Sequence, residues 1–172
     1  VDAFDVHDGR HLWRFHVLPG TPSTTRDFGG NCWGGMAMDE RRRIAYITTG
    51  SPHPNFYGTG HPGRNRYSDS VIALDAVTGK VRWAFQDIRH DIWDLDIPAP
   101  PVLVTVNRAG QRVDAVAAVT KMGDTLLLDR TSGKPLFPFR LKRAPASTLP
   151  GEETWPYQPD PGLPESFSRQ VF

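Results

Sequence analysis

The sequence predicts an all-β fold built of β-propeller blades, and three observations carry that prediction. Glycine and proline, at 16 residues each, punctuate the chain so often that a turn-rich, strand-rich fold is favoured over a helical bundle. No amphipathic pattern longer than about three helical turns interrupts the short apolar runs. One pattern recurs three times: a short apolar run, Asp, three residues, Gly, then an aromatic or apolar run. The copies run Ala3 to Trp13, Ala73 to Trp83 and Leu127 to Phe137. Each reads as a β-hairpin whose Asp closes the first strand, whose Gly takes the φ > 0 position of the turn, and whose terminal aromatic or Leu packs inward. Short-strand repeats at roughly this spacing are the signature of propeller blades, with the extra length in loops at one face.

Further strands follow from apolar runs: Ile44–Thr48, Val81–Gln86, Val102–Val106, Ala115–Val119 and Thr125–Leu128. The triplet Arg41-Arg42-Arg43 after Asp39-Glu40 reads as a solvated hairpin turn. Residues 50–68, rich in Gly, Pro, His, Asn and Tyr, read as a long loop. The organisation expected is a partial propeller over 1–142, then a Pro-rich loop over 143–172 leading towards a further blade. With 172 residues the chain can bury a real core. It does not begin with Met and ends without an obvious closing element, so it reads as a segment of a longer protein.

A net charge of +1 with interspersed signs predicts no strong attraction to nucleic acid or to an anionic membrane. No apolar run approaches the length of a membrane-spanning helix. The six histidines show no metal-ligand spacing, and no Gly-rich loop opens a helix. Cys32, the single cysteine, reads as a small buried residue, because no partner base accompanies it.

The loop His90-Asp91-Ile92-Trp93-Asp94-Leu95-Asp96-Ile97-Pro98 concentrates the candidate chemistry. Three carboxylates at i, i+3 and i+5 admit two readings: capping of turn N–H groups, or a cation site or base. Trp33, flanked by glycines on both sides, suits either a flat ligand stacked on its face or close packing of a core indole. Lys121, in Thr120-Lys121-Met122-Gly123, is either a solvated turn lysine or a contact for an anionic cofactor oxygen.

Together these stretches resemble the quinoprotein dehydrogenases that use pyrroloquinoline quinone (PQQ), with greatest likeness to the membrane glucose dehydrogenase-like branch. The resemblance runs from Val1 to about Pro161. It is carried by Arg89-His90-Asp91-Ile92-Trp93-Asp94-Leu95-Asp96-Ile97-Pro98-Ala99-Pro100-Pro101, by Thr120-Lys121-Met122-Gly123, by Tyr46-Ile47-Thr48-Thr49-Gly50-Ser51-Pro52, and by the three hairpins. It implies an eight-bladed propeller roughly three to four times this length, of which the chain would supply about three blades. It implies Asp94 as catalytic base, Lys121 as the cation facing the quinone oxygens, and Trp33 as the platform for the PQQ ring. It places Asp96 as a metal ligand, and Ser51 where the alcohol dehydrogenase branch has a metal-ligating asparagine. Ser51 is a departure, since a hydroxyl is a weaker ligand for a hard cation.

The implied reaction oxidises an alcohol or aldose sugar by hydride transfer to PQQ. Ca²⁺, Mg²⁺ or a lanthanide acts as Lewis acid, and cytochrome c or ubiquinone accepts the electrons. The implied location is the periplasm. Two rival readings are a non-catalytic propeller scaffold that binds protein partners, and a hydrolase using His90 with Asp91 or Asp94. The scaffold has no need for Trp33, Asp94 and Lys121 together, and the hydrolase lacks a recognisable nucleophile. The 172 residues by themselves are expected to be aggregation-prone and inactive, because a partial propeller leaves open blade edges.

Overall fold

All three predicted hairpins form, and they form alike. In each, the Asp carbonyl accepts the N–H of the turn glycine: Gly9 from Asp5 at 2.9 Å, Gly79 from Asp75 at 2.8 Å and Gly133 from Asp129 at 2.8 Å. Each Asp side chain also caps the turn, Asp75 taking Val77 and Thr78 N–H groups and Asp129 those of Thr131 and Ser132. The glycines lie at φ of 71°, 70° and 70°, the left-handed region that a side chain disfavours.

The computed structural model describes residues 1–18 and 29–168. Its strands are β1 (Asp2–Phe4), β2 (His11–Arg14), β3 (Met36–Asp39), β4 (Ile44–Thr48), β5 (Ser70–Asp75), β6 (Val81–Gln86), β7 (Val102–Arg108), β8 (Gln111–Val119), β9 (Thr125–Asp129), β10 (Phe139–Arg143) and β11 (Tyr157–Pro161). The order β3-β4-β5-β6 makes one four-stranded antiparallel blade, and β7-β8-β9 makes three strands of the next. An isolated bridge from Leu128 to Pro135 marks the start of that blade's outer edge. The pair β1-β2 lies on the other side of the first blade, and β10 pairs with β11. Strands β3 and β7 approach each other as the corresponding first strands of neighbouring blades. Among the described residues, helix is confined to one 3₁₀ turn, Gly58–Gly60.

The first blade is buried on both faces, which explains its unbroken apolar strands. In β4 and β5, Ile44, Tyr46, Val71 and Ala73 point into one core with Val116, Ala118, Leu126 and Leu128 of the next blade. Their alternates Ala45, Ile47, Ile72 and Leu74 point into a second core with Trp13 and Phe15. Alternation across the pleat thus feeds two interfaces instead of one interface and solvent.

The tryptophans join successive repeats. Trp13 of the first hairpin lies on Gly79 of the second and donates its indole N–H to the Ala76 carbonyl at 3.0 Å. Trp83 of the second lies on Gly133 of the third and donates to the Arg130 carbonyl at 3.2 Å. Phe137 takes the tryptophan position in the third copy, with the Arg108 guanidinium 4.9 Å from its ring centre.

Two local expectations are corrected. The hairpin turn at Arg41-Arg42-Arg43 forms with Arg41 and Arg43 exposed, but Arg42 is half-buried and bridges Asp39 at 2.9 Å and Asp114 at 2.6 Å. Arg130 adds a third contact, to Asp39 at 3.1 Å, so this network ties the two blades. The Pro-rich region is not wholly loop either, because β11 forms within it. Pro159 and Pro161 have the same parity in the register with β10, opposite Leu141 and Phe139. Their missing N–H groups therefore fall on one side of an edge strand, the one place a sheet tolerates proline. Residues 169–172, the end of the expected loop, lie outside the described residues.

Candidate functional site

Strands β4 and β6 of the first blade run in the same direction and finish at the same face. Glycine lets the chain close up there. Gly50, just beyond β4, takes the N–H···O bond of its own amide to Asn31 at 3.1 Å. A Cβ on Gly50 would stand 2.8 Å from the Trp33 indole nitrogen, so only glycine allows this approach. The segment before β3 is thereby drawn over the end of β4.

The loop after β6 is shaped by Asp91. Its carboxylate, wholly buried, accepts the Trp93 N–H at 2.9 Å, the Leu95 N–H at 2.7 Å and the Ser51 hydroxyl. That reverse turn leaves Asp94 at φ +62°, a conformation Asp adopts more readily than most side-chain-bearing residues. Blade two meets the loop at the end of β8, where the Lys121 N–H donates to the Asp96 carbonyl at 3.1 Å.

The result is a contiguous polar cluster beside an open indole. Lys121 Nζ reaches the Asp94 carboxylate at 2.9 Å and the Asp94 carbonyl at 3.0 Å, and it also pairs with Asp96. Asp96 accepts the Ser51 backbone N–H at 2.7 Å, and the Trp33 indole N–H lies beside it. Asn55, from the 50–68 loop, donates its side-chain amide to the other oxygen of Asp94 at 2.6 Å. Trp33 keeps 54% of its surface exposed. Of the five residues singled out in the sequence, Trp33, Asp94, Asp96 and Lys121 form one cluster. Ser51 joins it through its backbone only, since its hydroxyl turns to Asp91 and, at 3.2 Å, to Asp69.

Burial raises the Asp96 carboxyl, yet the bonds from Lys121, Ser51 and Trp33 outweigh burial and hold it below the usual carboxylate range. For Lys121, burial lowers the ammonium, but the Asp96 and Asp94 carboxylates raise it above its ordinary value. Behind the cluster the balance reverses. Burial, then the neighbouring Asp91 charge, pushes Asp69 well up. Burial pushes Asp87 up to about 7, with Asp124 adding to it. Neither Asp69 Oδ2 nor Asp87 Oδ2 has a hydrogen-bond partner among the described residues.

His90 is buried against Gly58 and stands 5.1 Å, centre to centre, from the His61 ring. Burial and the His61 ring lower its basicity. With His90 so enclosed and Asp91 spent on backbone caps, the hydrolase arrangement is not formed. Cys32 is half-buried with its thiol donating to the Gly35 carbonyl at 3.2 Å, and burial pushes it up, which suits a structural residue. The sequence did not single out Asn55, Asp69, Asp87 or Glu152. Asp69 and Asp87 carried one faint signal, a carboxylate directly beside an apolar strand.

The whole chain, residues 1–172, matches the family model "PQQ: Glucose/ethanol/alcohol dehydrogenase, beta-propeller domain". It is 35% identical to quinoprotein glucose dehydrogenase A of Acinetobacter calcoaceticus over 90% of this chain and 20% of that protein. It is 32% identical to the glycerol dehydrogenase large subunit of Gluconobacter oxydans over 95% of this chain and 24% of that protein. The fold superposes on quinohemoprotein alcohol dehydrogenase from Comamonas testosteroni with a TM-score of 0.72 at 26% identity, covering 93% of this chain and 27% of that one. The chain spans about a fifth to a quarter of the length of these curated relatives.

Proposed function

Because the chain belongs to the PQQ-dependent glucose/ethanol/alcohol dehydrogenase β-propeller family, we propose that it supplies the base and part of the cofactor cradle of an enzyme that oxidises an alcohol or aldose by hydride transfer to PQQ. The observation that carries this reading is the pairing of Lys121 with both Asp94 and Asp96 across two blades, with the Trp33 indole beside Asp96. These residues fit the cofactor. An exposed indole offers a flat apolar platform, and the adjacent ammonium suits an anionic, oxygen-rich ring.

In this reading Trp33 orients the ring, with its indole N–H beside Asp96. Lys121 would face the ring's oxygens while its ammonium also bonds the Asp94 carboxylate. Asp94 takes the proton from the substrate hydroxyl. When bound, PQQ supplies the two-electron oxidant. The described residues do not by themselves fit a cation: no group of three His, Cys, Asp or Glu among them is placed to hold one. Asp96 is the better candidate ligand for Ca²⁺, Mg²⁺ or a lanthanide, because the Ser51 hydroxyl is committed to Asp91. Transfer of electrons to cytochrome c or ubiquinone, and a periplasmic location, complete the proposal.

Reconstitution of the full-length gene product with PQQ and Ca²⁺ or a lanthanide, followed by dye reduction across alcohols and sugars, tests it. Dye reduction that depends on both PQQ and an alcohol or aldose is expected. Failure to bind PQQ at all contradicts it.

A further inference from the structure

We infer that Asn55 is a positioning residue for Asp94, an inference that rests on the reading of Asp94 as the base. The two oxygens of Asp94 are held separately, one by the Asn55 amide at 2.6 Å and the other by the Lys121 ammonium at 2.9 Å. A carboxylate has about four lone-pair sites, so these two bonds fix its plane and still leave a site on each oxygen for a substrate proton. Lys121 alone cannot do this. It also binds Asp96 and the Asp94 carbonyl, and a single contact leaves the carboxylate free to rotate.

The loop around Asn55 is braced on both sides. One residue before it, the Pro54 carbonyl is held by the His61 ring nitrogen at 3.1 Å. Three residues after it, the Gly58 N–H donates to Glu152 at 2.9 Å, and Glu152 is in turn held by Ser147 of the Pro-rich region. Gly58 has no room for a Cβ, since His90 and Ile92 of the base-bearing loop lie against it. The 50–68 loop, the base loop and the Pro-rich region thus lock together around one amide. That amide is kept at a cost to the fold, because Asn55 Oδ1 is buried and has no hydrogen-bond partner among the described residues. An orphaned buried acceptor is removed most simply by an apolar side chain of the same size, so its retention points to the work done by the N–H end.

The test uses the full-length PQQ-loaded protein with Asn55→Leu, which keeps the volume and removes both the donor and the orphan. Asn55→Ala, which cannot clash, is the second variant. For both, kcat is expected to fall on the order of 10- to 100-fold, the scale of a misaligned reacting group. KM and PQQ stoichiometry should stay within about twofold, the margin of a small free-energy change. The melting temperature of Asn55→Leu should not fall. A packing role predicts the reverse, lower stability with unchanged kcat. Turnover within about twofold of wild type in both variants, with Asp94→Asn inactive, overturns the positioning role and leaves the base reading standing. An active Asp94→Asn protein removes the base itself.

Discussion

Asp87 is a residue whose ionisation opposes the fold. It is buried at 2% exposure, Oδ2 has no partner, and burial pushes its carboxyl up to about 7. An unfolded Asp titrates near ~3.9. Between those values the folded state holds a proton that the unfolded state has released, so stability falls as pH rises through that window and is lowest above it. In the full-length protein, Asp87→Asn is expected to gain on wild type as pH rises from about 5 to about 8, read from chemical-denaturation midpoints. A gap independent of pH contradicts a buried, uncompensated carboxyl. The residue scale is also where the sequence was least legible. Asp94, Asp96, Trp33 and Lys121 stood out because they sit in dense polar or Gly-flanked stretches. Asn55 did not, because its meaning lies in a contact with a residue 39 positions away, and an asparagine in a Gly- and Pro-rich loop looks like ordinary turn chemistry.

At the scale of elements, the hairpin turns separate local from tertiary effects. Gly9 and Gly133 share nearly the same φ, 71° and 70°. A Cβ on Gly9 meets nothing within 4 Å, whereas on Gly133 it stands 2.5 Å from the Trp83 ring. Gly9→Ala should therefore cost only the left-handed strain, about 1–2 kcal/mol. Gly133→Ala should cost clearly more, approaching the roughly 3–5 kcal/mol of removing a buried tryptophan, as in Trp83→Ala. Denaturation of the full-length variants checks the order, and equal losses would show that the indole does not bear on the turn. The turns were legible because Asp-x-x-x-Gly chemistry is local. The partner of each tryptophan was not, because it lies in the next repeat. Strand β11 was hidden by its prolines, which forbid a central strand but not an edge whose missing donors all face outward.

At the scale of the molecule, β4 and β5 bury both faces, and that arrangement needs a neighbour on each side. The blade pattern was legible from three copies of one hairpin. The convergence of the site was legible only through resemblance, since nothing local says that the ends of β4, β6 and β8 meet. The pair β1-β2 leaves Phe4 and Leu12 exposed at 58% and 49%, and a two-stranded sheet is marginal alone. The 172 residues expressed by themselves are therefore expected to self-associate, which sedimentation will show as species heavier than the 19.2 kDa monomer; a cooperatively folding monomer contradicts this. The central claim is that Asp94 removes the substrate proton beside a ring held by Trp33 and Lys121. A single-turnover measurement of PQQ reduction in the full-length Asp94→Asn protein addresses it most directly. The account predicts that PQQ binds with its normal stoichiometry and stays oxidised when an alcohol or aldose is added. Reduction of bound PQQ at the wild-type rate would contradict it.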